Sequence, residues 1–338
     1  MKKFFRFLLF SAMLVFIFML PFLSSPVKEA VISGMDICTK ELIPSLFPFL
    51  FFSSLIYYYA GGLLSFIFSP LLCPLFKISK NACPAVVAGI LGGFPSGAII
   101  AAELFKEGKI TKEEAERLPV FCSNSGLMFV IGTLGVGHFS SFRTGVLIYF
   151  FHIFASLAAG LLSAAERKNF IFNPVKTKSP VFMPFSEAFT KALSKALLSI
   201  ALISGNFIIF RVLSFVFSVF FKDSFVKSFI FGLLEVTGGV LSMPGNNIGV
   251  ILTLFLLSFN GICVYMQTLS VFAPLNLSVK KYISWKIFCA FLSSILMKLC
   301  LPDDSLSSGH FPSMLFYATA LLIPVILIFS KQIKSRET

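Results

Sequence analysis

The sequence predicts an all-α polytopic membrane protein with about eight transmembrane helices plus two re-entrant or broken segments, built as two inverted repeats. Three observations lead there. Of the 338 residues, 57% are hydrophobic and only 13% charged, against about 25% charged in an ordinary soluble domain, so there is too little charge to cover a globule. Apolar stretches near the ~20 residues needed to cross a bilayer recur along the whole chain. The basic residues behind the net charge of +13 stand between those stretches, as the Lys and Arg excess of cytoplasmic loops requires. Phe supplies 45 residues, against 7 Tyr and 1 Trp, and an aromatic ring with no polar handle is comfortable in lipid. Nucleic acid is not an expected partner, because the charges form no single face interleaved with aromatics. The 7 cysteines contain no CxxC pair and indicate neither a disulfide framework nor a zinc site.

The elements follow in order. The apolar run Phe4 to Leu23, after Lys2 and Lys3, exceeds a signal-peptide core and lacks a small-x-small cleavage site. It is read as an anchor with its N-terminus inside, the alternative being a cleaved signal. Val27 to Glu41 mixes charged with apolar residues at helical spacing, which suits an interfacial helix. Leu42 to Leu64 then crosses, with an early break expected at Pro44 and Pro48. Between Lys80 and Glu103 an apolar segment is interrupted by Gly92, Gly93, Pro95 and Gly97. Freed backbone groups are tolerated at membrane depth only inside protein or beside a watery cavity, so a re-entrant hairpin or broken helix is expected. Thr111 followed by Glu114 has capping-box spacing and opens a cytoplasmic helix. Leu118 to Gly137 is a span broken by FCSNSG, Phe142 to Leu162 a plain one, and the basic stretch from Ala164 to Ser179 a cytoplasmic loop.

The second half repeats this order: an amphipathic stretch Phe182 to Lys195, a crossing Leu197 to Phe221, a broken segment Phe229 to Met243 around GLLEVTGG, and a span Ile248 to Ser270 interrupted at SFNG. Lys280, Lys281 and Lys286 are read as another basic loop, ahead of spans at Ile287 to Leu301 and Phe311 to Ser330. The domain division is an anchor over 1–25, a first repeat over 26–163, a linker over 164–180, a second repeat over 181–301, and a last helix with a basic tail over 302–338. Glu29 and Glu187 open the two repeats, GILGGFPSG lies opposite GLLEVTGGV, and Asn124, Ser125 and Gly126 lie opposite Phe259, Asn260 and Gly261. With both termini cytoplasmic, each half has three full crossings, an odd number, which inverts one half relative to the other. Inverted repeats with discontinuous helices are the architecture of secondary transporters.

The candidate site residues lie at those discontinuities. Glu235 is a carboxylate in an apolar Gly-rich segment, expensive to bury and retained mainly where it binds or relays something; the alternative is a structural partner for Arg211. Asn124, Ser125 and Asn260, each close to a glycine within a span, can hydrogen-bond a polar ligand or serve as glue between helices, and Gln267 is a weaker addition. Ser96, Gly97 and Thr237 fall at the tips of the broken segments, where free amides can face a polar group or glycines can simply allow close packing. His138, His152 and His310 have no carboxylate or cysteine at ligand spacing and are read as ordinary interface or core histidines. No cofactor, metal or catalytic residue is expected: there is no intramembrane Asp, HExxH or Gly-x-Ser-x-Gly.

At GGFPSG, then KEGKITKEEAERL and FCSNSGLMFVIGTLGVG, the sequence resembles the YlbJ-type sporulation integral membrane proteins of the nucleoside-recognition, or Gate, domain group. The resemblance runs from about Ile43 to beyond LSFNGICVYMQTLS. It implies a multi-pass cytoplasmic-membrane protein needed for endospore formation at the cortex stage, with a fold related to nucleoside and ion carriers, and it does not imply nucleoside as substrate. The expected partners are the lipid bilayer and a small polar or ionic solute, with a coupling proton or cation; a homo-oligomer is left open. A carrier is the expected activity, with a non-transporting scaffold of the sporulation machinery as the alternative.

Overall fold

A computed structural model describes residues 2–166, 182–218 and 224–301. These residues are mostly helical, with no strand among them. Five of their helical stretches are long and apolar enough to cross a membrane: Val27–Phe76, Phe142–Ala165, Phe185–Phe215, Asn247–Leu275 and Lys280–Cys300. They cover five of the eight expected spans. The expected span at 311–330, the acidic turn at Asp303 and Asp304, the basic tail and most of the 164–180 linker lie outside the described residues.

After α1 (Lys2–Met19), α2 (Ser24–Ile37) runs through a π-helical turn at Cys38–Leu42 into α3 (Ile43–Phe76). The stretch expected to form a separate interfacial helix is thus continuous with the crossing that follows. Its 50 residues from Val27 to Phe76 would measure about 75 Å at ~1.5 Å per residue, more than twice a ~30 Å hydrocarbon core. The expected break at Pro44 and Pro48 does not occur. Pro44 sits in the first turn of α3 and Pro48 is carried inside the helix, while the kink falls at Ala60 (φ −128°, ψ 24°), just before Gly61 and Gly62. Pro44 has no donor to place, and the π-helical turn before it, closed by the Ile43 amide on the Cys38 carbonyl, carries the helix past it.

The first broken segment is a helical hairpin, α4 (Cys83–Gly92) and α5 (Ser96–Lys106), turned at Gly93 with φ +77°. Gly93 is needed for two reasons. Its backbone is left-handed, and a Cβ there would stand 2.7 Å from the Gly126 amide nitrogen. After α6 (Lys112–Arg117), opened by the Thr111–Glu114 capping box, the short α7 (Pro119–Cys122) fits into the hairpin. A Cβ on Gly89 or Gly97 would lie 2.0 or 2.4 Å from the Cys122 carbonyl oxygen. Residues 123–126 are non-helical, and a π-helical stretch follows at Phe129–His138. The span expected over Leu118 to Gly137 is therefore two short helices end to end. α8 (Phe142–Ala165) then runs uninterrupted.

The second half repeats the element order. α9 (Phe185–Ser218) is one long helix where an amphipathic piece and a crossing were expected. α10 (Ser224–Leu234) and α11 (Val236–Leu241) form the second broken segment, α12 (Asn247–Phe259) and α13 (Gly261–Phe272) are separated at Asn260 (φ +73°), and α14 (Lys280–Cys300) closes the described chain. Two apolar clusters fill the interior. One gathers Phe76, Ile100, Phe121 and Cys289 around α7; the other joins Leu50, Phe151, Phe207 and Leu257. α14 packs against α8, and also against α7 and α12, and so lies beside the interruptions at 123–126 and at Asn260.

Candidate solute site at the chain breaks

The two interrupted helices meet. Asn260 Nδ2 donates to the Ser123 carbonyl oxygen at 3.1 Å and to the Tyr282 hydroxyl at 2.8 Å, and that hydroxyl lies 3.0 Å from Ser123 Oγ. Asn124 is fully buried and fully used. Its Oδ1 accepts from Ser156 Oγ (2.6 Å) and Lys286 Nζ (3.0 Å), its Nδ2 donates to the Phe121 carbonyl (2.9 Å), and its own carbonyl accepts the Phe94 amide (2.6 Å). That last bond ties the tip of the first hairpin to the first break. The Ser125 amide donates to His152 Nε2 at 2.9 Å, which places the ring proton on Nδ1, 3.0 Å from Ser258 Oγ. His152 is thereby a core histidine with both ring nitrogens engaged. Backbone released by unwinding is satisfied here by Asn260 at the Ser123 carbonyl, His152 at the Ser125 amide and the Phe94 amide at the Asn124 carbonyl, as burial in an apolar interior demands.

The second broken segment is organised by Glu235. Its carboxylate, 4% exposed, caps α11 by accepting the Thr237 amide at 2.8 Å and the Gly238 amide at 2.6 Å. Because it lines two cavities, it also stands between them. The outer one, about 390 Å³, is lined by Glu29, Ser33, Arg211, Lys227, Glu235 and Ser242 among others; the inner one, about 20 Å³, is lined by Phe94, Gly126, Glu235, Thr237, Cys263 and Gln267 among others. The inner cavity has room for one water-sized group, and its walls come from both halves. Arg211 reaches the same corner: a Cβ on Gly238 would lie 2.8 Å from Arg211 Nη1 and 3.1 Å from Glu235 Oε2.

The structure thus brings Asn124, Ser125 and Asn260 to the same interruption, each with its own partners, and puts Glu235, Thr237 and Gln267 around the adjoining inner cavity. Ser96 and Gly97 join neither. Ser96 Oγ donates within its own hairpin, to the Gly93 carbonyl at 2.5 Å, and Gly97 is packed against Cys122. Three of the expected residues carry a buried side-chain atom with no partner: Ser125 Oγ, Asn260 Oδ1 and Gln267 Oε1. Each is a polar group left over after internal bonding, available to a polar guest.

The reading of Lys286 as part of a basic loop is corrected. Lys286 lies in the first third of α14 with no exposed surface and donates to Asn124 Oδ1 (3.0 Å) and Ser156 Oγ (3.1 Å). The α14 helix begins at Lys280 and takes Lys286 inward with it. A signal was present: Tyr282, Lys286, Cys289, Ala290, Ser293 and Met297 recur at helical spacing and are the buried face of α14, a stripe that starts before Ile287. Tyr282, Ser156 and Ser258 were not anticipated either, since single hydroxyls in apolar helices have no distinguishing pattern.

By sequence, the chain is similar to the sporulation integral membrane protein YlbJ of Bacillus subtilis (strain 168). Identity is 23% over 314 residues, which cover 80% of this chain and 76% of that protein. No protein-family model matches, and no solved structure does.

Proposed function

We propose that this chain is a multi-pass cell-membrane carrier of a small polar or ionic solute, acting in endospore formation, with its two halves as inverted repeats and its N- and C-termini on the cytoplasmic side. The observation that carries the reading is the position of Glu235. A carboxylate at membrane depth is costly, and this one stands at the tip of a broken helix between a large charged cavity and a small one walled by both halves. Discontinuous helices meeting at a repeat interface are where carriers hold their solutes. Glu29, Arg211, Lys227 and Glu235 put charges of both signs around the outer cavity, which suits a solute carrying both signs or an ion with its counter-charge. The sporulation setting comes from the similarity to a sporulation integral membrane protein along most of the chain. No catalytic role is proposed.

The test is an uptake screen of small polar solutes with the purified full chain in vesicles, followed by Glu235→Gln. Uptake lost in Glu235→Gln at an unchanged membrane level supports a carrier. The second reading, a scaffold without transport, is favoured by the density of internal bonds at Asn124. It wins if no solute is taken up and both Glu235→Gln and Asn124→Ala still support spore formation.

A further inference from the structure

We propose that Asn124 Oδ1 and Ser156 Oγ belong to a monovalent-cation site whose occupant is the tethered ammonium of Lys286. The lysine is fully buried and its two hydrogen-bonded partners are neutral oxygens, at 3.0 and 3.1 Å. Among the described residues no carboxylate forms an ion pair with it. The titratable groups around it are Cys122 on α7, His152 on α8 and Cys289 on its own helix; none is a carboxylate.

A structural ion pair would have a carboxylate partner, and a lysine serving only as an apolar stem would send its head to water. Lys286 does neither. Its ammonium lies beside the interruption that follows α7, where the last carbonyls of a half-helix carry partial negative charge. In carriers with broken helices a coupling cation is held by the oxygens of unwound backbone and half-helix C-terminal ends; here the Asn124 amide oxygen, two residues past the end of α7, and the Ser156 hydroxyl inside α8 supply the oxygens. Here the helix α14 supplies the cation covalently. The site therefore needs no free ion to be filled, and its charge cannot leave with a solute. This inference concerns a different break from Glu235 and stands whether or not the protein transports.

The test is chemical rescue of the purified full chain in detergent. In Lys286→Ala the oxygens lose their cation, and the melting temperature should fall by several degrees. Methylammonium in excess should return most of that loss, tetramethylammonium, which cannot donate a hydrogen bond, should return none, and neither should move the parent protein. A folded Lys286→Ala that no small cation restabilises overturns the proposal. Should Lys286→Ala fail to fold, Lys286→Met and Lys286→Arg decide. Arg folding where Met does not supports a required charge; Met as stable as the parent, or equal failure of both, overturns it.

Discussion

The two broken regions of this molecule carry opposite charges and opposite degrees of closure. At the first, the Lys286 ammonium is sealed among Asn124, Ser156 and apolar side chains, and both polar side-chain atoms of Asn124 have protein partners. At the second, the Glu235 carboxylate faces a cavity of about 390 Å³ on one side and one of about 20 Å³ on the other. Both interruptions free backbone groups, and both are met by side chains. The first uses its charge to complete a rigid joint. The second uses its charge as a helix cap. At the first break Asn124 is spent on internal bonds while Ser125 Oγ and Asn260 Oδ1 keep no partner; at the second, both Glu235 oxygens cap a helix and the side chain still borders open space.

The comparison can be broken most severely at the joint. Gly89→Ala puts a Cβ 2.0 Å from the Cys122 carbonyl oxygen, a backbone atom that cannot swing aside, and should cost about 3 kcal/mol or more, seen as loss of folded protein on size exclusion in detergent. Asn124→Leu removes an acceptor from a buried ammonium, and a hydrogen bond to a charged group is worth about 2 kcal/mol. Its thermal melt should fall clearly, and a melt like the parent's would show that the first break is less closed than its bonds imply.

At the second break the expected losses of stability are smaller and the losses of function larger. Glu235→Gln keeps the shape of the cap but sets an amide NH₂ against one of two backbone N–H groups, a cost of about 1 kcal/mol; uptake in vesicles should disappear while the melt hardly changes. Gln267→Leu removes the unpartnered Oε1 and should leave stability within about 1 kcal/mol of the parent or slightly higher, with altered uptake as the informative readout. Equal damage to stability from Asn124→Leu and Glu235→Gln would erase the distinction between the two regions.

Much of the architecture was legible along the chain because its signals are local. The Gly93–Pro95 turn, the Glu235 interruption, the Asn260 interruption and the Thr111 cap are written in residues whose backbone preferences or short-range hydrogen bonds act over a few positions. The candidate residues Asn124, Ser125 and Asn260 were legible too, as polar groups where a bilayer tolerates few. Lys286 was not, because a lysine near two other lysines is locally indistinguishable from a loop cation. Nor was the fate of Pro48, which lies on an exposed face of α3, because the packing of that helix against α4 and α9 carries it past the proline.

Read along the chain alone, the residues call for helices long and apolar enough to cross a membrane, interrupted near Gly93, Asn124, Glu235 and Asn260. Periodicity, apolar length and the backbone chemistry of Gly, Pro and Asn need no partner to act. What each interruption became depends on its neighbours in space. Whether a buried polar atom is satisfied depends on what other helices bring within about 3 Å, and it was α8 and α14 that closed the first break around Lys286 while the second stayed open beside Glu235.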